Sequence, residues 1–307
     1  MARELLSKQS ICAEAEDIGE KIFQLNVVGH GRQRCTLVLS GSATGNLSVV
    51  DSENIVPVKM KGASNEHDYA WITFETTQGG IHEVMFSPNQ EGYYEAYFLA
   101  VNMEAPEGLW GKLHKPLKSK ETGEFKFKAT DELYGPFGSV WGNAEQDPQF
   151  DGPEQDPEFY RREGYIHLGH DIEAEAGDII MAVADGEVVR VGDSGGNWGH
   201  FVVVEHHVDS HTFTVTYEHL QNEGRPIMTE GKKTVVKKGD VLGRIIEMTE
   251  PGEKTHLHLS MHMGPHLPFI PKLNRAPGYI WSNKGATSFK DDFGQYFNGG
   301  NTQLYQA

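Results

Sequence analysis

THLHLSMH, running from Thr255 to His262, decides how the chain is read. His256, His258, Ser260 and His262 alternate with Leu257, Leu259 and Met261. In a strand, residues i and i+2 point to one face. One face is therefore apolar and turned to a core, while the other carries three imidazoles and a hydroxyl. The segment predicts a β-strand that walls a polar groove. The blander alternative is an exposed histidine-bearing face with no ligand role.

Two further segments give the strand its weight. The first is IHLGHD, with His167 and Asp171 four residues apart. That spacing suits one helix face, but Gly169 sits in the middle and EAEAGD follows, so the segment is read as extended or loop. Even spacing still lets both side chains face one way, and His170, at odd spacing, is expected to point elsewhere. The second is TFTVTYEHL, where Phe213, Val215, Tyr217 and His219 share one parity. A single histidine ending such a strand is more often a satisfied core residue, so His219 draws its interest from the other two motifs. Zinc takes His nitrogen and carboxylate oxygen, and a catalytic site uses three protein ligands plus a water. His167, Asp171, His219, His256 and His258 together predict one zinc ion per chain with additional histidines beside it.

The rest of the 307-residue chain is read as all-β. Residues 1–20 are expected to be a polar arm with some helical tendency. From 21 to 114, the runs FQLNVV, CTLVLSG, YAWITFET, HEVMFS and YYEAYFLAV alternate between turn signals such as SGSATGN and SPNQEG. That pattern predicts a β-sandwich. Within it, EGYYEAY is similar to the tyrosine-corner region of immunoglobulin-like strands, with Tyr94 at the corner and Ala96 in place of a cysteine. Exposed Trp71 or Tyr93 could stack on sugars, although alternation favours a core position for Trp71. Residues 115–130 (KPLKSKETGEFKFKAT) are expected to be a linker. Residues 131–266 form a second β domain, in which the acidic stretch 142–162 is read as a long exposed loop. The tail, 267–307, is expected to pack outside that domain.

Net charge is −17, which disfavours nucleic acid as a partner because phosphates would be repelled. No apolar run is long enough to span a bilayer. MARELLSKQS carries no apolar signal segment. Cys12 and Cys35 either pair or serve as two structural thiols.

The order H-x-G-x-D, then Y-x-H-L, then H-L-H resembles the lysostaphin/LytM-type zinc metallopeptidases, which cut peptide bonds in bacterial peptidoglycan. YGPFG at 134–138, DIEAEAGDIIMAVADGEVVRVG, GGNWGHFVVVEH and VVKKGDVLGRI accompany the motifs in the family's order. The likeness spans about residues 133–264. It implies a LytM-type antiparallel sheet with a groove, and zinc bound by His167, Asp171 and His258. His219 and His256 would flank the bound water, and peptidoglycan peptides would be the partner. Action would be extracytoplasmic or at the cell envelope; with no signal segment visible, a mature fragment, another export route and phage-type release by lysis all stay open. There are departures: Ser260 stands where the family often has an acid, and His262 is an extra imidazole, read as a rim residue. His206 is read as structural, and Tyr160 and Tyr165 are candidate oxyanion partners. The loop 142–162 could fold over the groove and place Asn143 or an Asp near the metal. Two alternatives remain open at the level of sequence. One is a non-catalytic peptidoglycan-binding or amidase-activating module, and the other a phage or secretion-system structural component.

Overall fold

A computed structural model describes residues 2–7, 20–40, 45–50, 55–64, 69–88, 95–128, 137–138, 165–194, 198–224, 226, 233–249, 254–266, 279–281 and 296–306. Among these residues the regular structure is strand, apart from short 3-10 turns at Glu107–Leu109 and Thr302–Leu304. No helix of the described residues is long and apolar enough to cross a membrane.

The N-terminal unit contains β1 (Ala2–Ser7), β2 (Lys21–Ser40), β3 (Gly45–Val49), β4 (Ile55–Ser64), β5 (Tyr69–Pro88) and β6 (Glu95–Asn102). FQLNVV and the CTLVLS part of CTLVLSG, separate runs in the sequence, fall in one 20-residue strand, and YAWITFET and HEVMFS fall in another. β2 and β5 pair antiparallel along their length, with register shifts around Val27, His30 and Gln33. Such bulges increase local twist and let a long ribbon bend. β3 pairs with the Val84–Pro88 end of β5, and β4 with the Tyr69–Thr76 end. Residues from both ends share one core, including Phe23, Leu25, Leu37, Leu39, Phe74 and Phe86. Residues 2–7 are not helical: β1 pairs in parallel with Lys21–Asn26, which satisfies its backbone groups through the sheet. Trp71 is 1% exposed, as the alternation around it predicts. Cys35 is a buried thiol in the same core, whereas Cys12, Tyr93 and Tyr94 lie outside the described residues.

The C-terminal unit contains β7 (Leu117–Lys118), β8 (Phe125–Lys126), β9 (Tyr165–His167), β10 (His170–Glu173), β11 (Ile179–Met181), β12 (Gly186–Asp193), β13 (His200–Val208) and β14 (His211–Leu220). It continues with β15 (Thr234–Val236), β16 (Val241–Arg244), β17 (His256–Met263), β18 (Tyr279–Trp281) and β19 (Tyr296–Phe297). The large sheet runs β15-β12-β13-β14-β17-β19-β6-β2-β5-β3, so β19 joins the two units. β17 is central: β14 lies on one side, with β10 and β19 on the other. A smaller sheet, β16-β11-β7-β8, packs beside it, and β18 pairs with β9.

Two expectations change here. Within the stretch read as a linker, Leu117 is fully buried in the C-terminal core and β7 pairs with β11. The described tail does not merely coat the domain, because Phe297, Leu304 and Tyr305 belong to the same core. Each such aromatic or Leu contributes about 1.5–3 kcal/mol by leaving water, which explains why these flanking segments are retained in the packing. The loop 142–162, with Asn143 and Tyr160, lies outside the described residues, as does the side chain of Tyr165.

Candidate metal centre

β17 delivers two histidines because alternation holds on it. Leu257, Leu259 and Met261 enter the core, and His256 and His258 point to the opposite face. That face is also covered: His256 is 1% exposed, His258 0%, Ser260 2% and His262 6%. The groove expected from the alternation is therefore a shielded site. β10 runs antiparallel to β17 and sets Asp171 directly opposite His258. His167 ends β9, three residues before β10 begins.

A tight approach dictates the intervening glycine. A Cβ on Gly169 would lie 2.1 Å from His258 Cε1, so the imidazole can reach the other ligands only over a residue without a side chain. Ser260 supplies the second constraint, its hydroxyl donating to the Leu168 carbonyl at 2.7 Å. This bond fastens the H-L-G-H-D turn onto β17 and gives a positioning role to the residue that departs from the family pattern.

Three donor atoms converge. His167 Nε2 is 3.1 Å from His258 Nδ1, His258 Nδ1 is 3.0 Å from Asp171 Oδ1, and His167 Nε2 is 3.3 Å from Asp171 Oδ1. All three residues are 0% exposed. Tetrahedral zinc with bonds near 2.1 Å spaces its ligand atoms about 3.4 Å apart, so the trio fits that ion in donor type and in spacing. The protonation states of Asp171 and His258 agree. Burial opposes charge on Asp171, but the neighbouring histidines His167 and His256, with hydrogen bonds from His167 and His258, outweigh it and hold the carboxyl well below its usual range. Burial lowers His258 to about 4. A carboxylate and neutral imidazoles are the forms that bind metal.

His219 and His256 stand beside the trio. His219 Nδ1 donates to the Trp198 carbonyl at 3.0 Å, and His256 Nδ1 donates to the Lys254 carbonyl at 2.7 Å. Both rings are thereby fixed with Nε2 as the remaining nitrogen. His256 Nε2 lies 3.6 Å from Asp171 Oδ1. The rings of His219 and His256 are 4.5 Å apart, edge to face. His219 Nε2 is buried with no hydrogen-bond partner among the described residues. Burial and the nearby His256 keep His219 well below the ordinary histidine pKa.

The backbone of His219 is in the left-handed region, with φ 67°. For a residue with a side chain this costs on the order of 1–3 kcal/mol. The conformation is held by the His219 carbonyl accepting from Ile246 N at 2.8 Å and by the ring's bond to Trp198. No periodicity argument reveals such a strained position, and Trp198 as its anchor was not legible in the sequence either.

Three other histidines lie outside the trio. His170 is buried against Phe127, their rings 5.6 Å apart, and does not belong to the metal trio. His262 packs on Tyr296 with rings 4.9 Å apart and is buried rather than on a rim. His206 is structural: Nδ1 donates to the Asp185 carbonyl at 3.3 Å, and Nε2 is 3.1 Å from the Tyr217 hydroxyl.

A buried two-histidine, one-carboxylate cluster on an antiparallel sheet, with two more histidines aimed beside it, defines a candidate hydrolytic metal centre. Residues 165–268 match the model of Peptidase family M23, so a domain of that peptidase family lies in this part of the chain. The resemblance read from the three motifs is thus shown. Similar solved structures include lysostaphin, at 22% identity over 33% of this chain and 38% of that one, with a TM-score of 0.27. The catalytic domain of the antimicrobial peptidase lysostaphin from Staphylococcus simulans is 20% identical over 33% of this chain and 71% of that one, with a TM-score of 0.27. Helicobacter pylori Csd3 is 18% identical over 83% of this chain and 66% of that one, with a TM-score of 0.29. No curated protein matches.

Proposed function

We propose that the chain is a zinc-dependent endopeptidase that hydrolyses peptide cross-links of bacterial peptidoglycan at the cell envelope. The observation carrying this reading is the convergence of His167 Nε2, Asp171 Oδ1 and His258 Nδ1 within 3.0–3.3 Å, in a segment matching a peptidase family. These three residues would hold the ion. Zinc, when bound, lowers the pKa of a coordinated water toward neutrality and polarises a carbonyl.

The protein's own groups supply the remainder. His219 and His256 present Nε2 to the reacting region, each locked by a bond from Nδ1 to a backbone carbonyl. One accepts the proton of the attacking water, and an imidazole holding a proton steadies the negative charge that develops on the scissile carbonyl. Fixing both rings in advance removes the need for reorganisation during reaction, and the buried surroundings strengthen each charge interaction. In the domain division we propose, the peptidase unit begins near Ala105, because Ala105, Leu109, Leu113 and Leu117 join its core. The N-terminal β unit, through about residue 104, retains the Ig-like sandwich reading.

One observation favours a second reading. All five site side chains are at most 1% exposed, which suits a non-catalytic envelope module as well as an enzyme that must open. The complete ligand set weighs against the module. The test is incubation with purified sacculi followed by mass spectrometry of the soluble products. Release of cross-link fragments by the wild-type protein, and none by His219→Ala, supports the peptidase. Sedimentation with sacculi and no released fragments supports the module.

A further inference from the structure

The N-terminal sheet presents a second buried face, where polar side chains lie among apolar ones such as Trp71 and Val101. Arg34 and Thr36 on β2 point away from the core formed by Cys35, Leu37 and Leu39, yet they are 8% and 0% exposed. Burying a guanidinium costs several kcal/mol unless it is paired and hydrogen-bonded. Here Glu75, itself 1% exposed, accepts from Arg34 Nη2 at 2.7 Å and from Arg34 Nε at 3.2 Å, and Arg32 also donates to it. The remaining guanidinium nitrogen, Nη1, donates to the Phe137 carbonyl. Next to it, the Thr36 hydroxyl donates to the Gly138 carbonyl at 2.6 Å and accepts from Thr73 at 2.8 Å.

Phe137 and Gly138 are therefore clipped to β2 by two consecutive carbonyls. Gly138 has φ 77°, and a Cβ there would lie 2.3 Å from Val101 Cγ2 on β6, so the clip is pressed against the sheet. Its free edge continues to the metal centre, where the Gly138 amide donates to the carbonyl of His167 at 2.6 Å. An unbroken hydrogen-bonded path thus runs from Arg34 and Thr36, through Phe137 and Gly138, to the backbone of a metal-ligand residue.

We propose that the N-terminal sheet is a working part of the metal centre, with Arg34 and Thr36 acting as positioning residues that hold His167 in register through the Phe137–Gly138 clip. The proposal rests on the assignment of His167, Asp171 and His258 as the zinc ligands. It gives the N-terminal unit a role beyond spacer or wall binding: displacing the sheet loosens the metal site, so an event at the N-terminal unit can set zinc affinity. Ser260 restrains the adjoining Leu168 carbonyl, and Tyr279 of β18 pairs with His167, so the clip acts together with these two restraints on the end of β9.

The test uses the full chain. Thr36→Val removes the donor to Gly138 at nearly constant shape, and Thr36→Ser restores it. Thr73→Val is the matched control, since it deletes an equally buried hydroxyl of the same pair without touching the clip. Zinc affinity is measured by chelator competition, and amide exchange over 137–138 is followed in metal-free protein. Outer partners of metal ligands commonly change affinity by about 10–100-fold. Thr36→Val is expected to weaken zinc about tenfold and to speed exchange at the Gly138 amide, with Thr36→Ser and Thr73→Val close to wild type. Equal zinc affinity and exchange in Thr36→Val and wild type overturns the positioning role while leaving the metal assignment standing. A wild-type chain that binds no zinc overturns the metal assignment and this proposal with it.

Discussion

Replacing His206 by Asn should flatten the acid dependence of stability, and the size of the effect follows from its surroundings. His206 is completely buried, stacked on Phe213 with ring centroids 5.3 Å apart. Its neutral form is fully bonded: Nδ1 donates to the Asp185 carbonyl, and Nε2 accepts from the Tyr217 hydroxyl, whose oxygen in turn accepts from Val183 N at 3.0 Å. Burial holds the folded pKa at about 4, against 6.5 for a free histidine. Between those values the unfolded chain binds more protons than the folded one. Stability is therefore fully present above pH 6.5, falls as pH drops, and is lost through pH 4. The whole effect is about 3 kcal/mol, of which roughly 2 kcal/mol is already gone at pH 5. With a urea slope near 2 kcal/mol per molar, that is a midpoint shift of about 1 M. The assay is urea unfolding at pH 7.5 and pH 5.0 for wild type and His206→Asn. The wild-type shift should exceed that of the variant by about 1 M, and equal shifts would refute the reasoning, whatever the absolute stabilities.

Two further outcomes follow from the geometry of the centre. Gly169→Ala places a methyl group 2.1 Å from the His258 ring, so zinc per chain, measured by elemental analysis, should fall toward zero while the circular dichroism of the sheet is retained. His219→Ala removes a nitrogen that lies outside the metal trio, so bound zinc should be kept while turnover of cross-linked muropeptides drops by about 10²–10⁴-fold, the usual range for a positioned acid–base group.

The degree to which the sequence disclosed the structure depended on which forces acted. Periodicity read β17 correctly because one face of it is a real core: Leu257, Leu259 and Met261 are all buried in one cluster. Grouping His167, Asp171 and His258 took the family resemblance, and the antiparallel pairing of β10 with β17 is what places Asp171 opposite His258. Alternation does not report what covers the second face, so the expected groove proved to be a buried site. Continuity was also lost. The turn chemistry of TTQGG around Gln78 looks like an ending, whereas β5 runs straight through it, paired with β2 across register shifts at His30. The lysine-rich stretch after Lys115 reads as solvated by composition, yet Leu117 lies in the core, Phe127 packs against it and β7 pairs with β11. Ser260 looked like a lost acid, and only the distance to the Leu168 carbonyl shows its work. The clip at Phe137 and Gly138 depends on a contact across 100 residues of sequence, which no local pattern encodes.

The central claim is that His167, Asp171 and His258 hold a zinc ion that drives peptide-bond hydrolysis. Its most direct test is zinc content together with muropeptide release from purified sacculi, comparing wild type with His258→Ala. About one zinc per wild-type chain, with defined cross-link fragments, and the loss of both in the variant is the predicted result. Fragment release that persists in His258→Ala, or a folded wild-type chain that takes up no zinc, would contradict it.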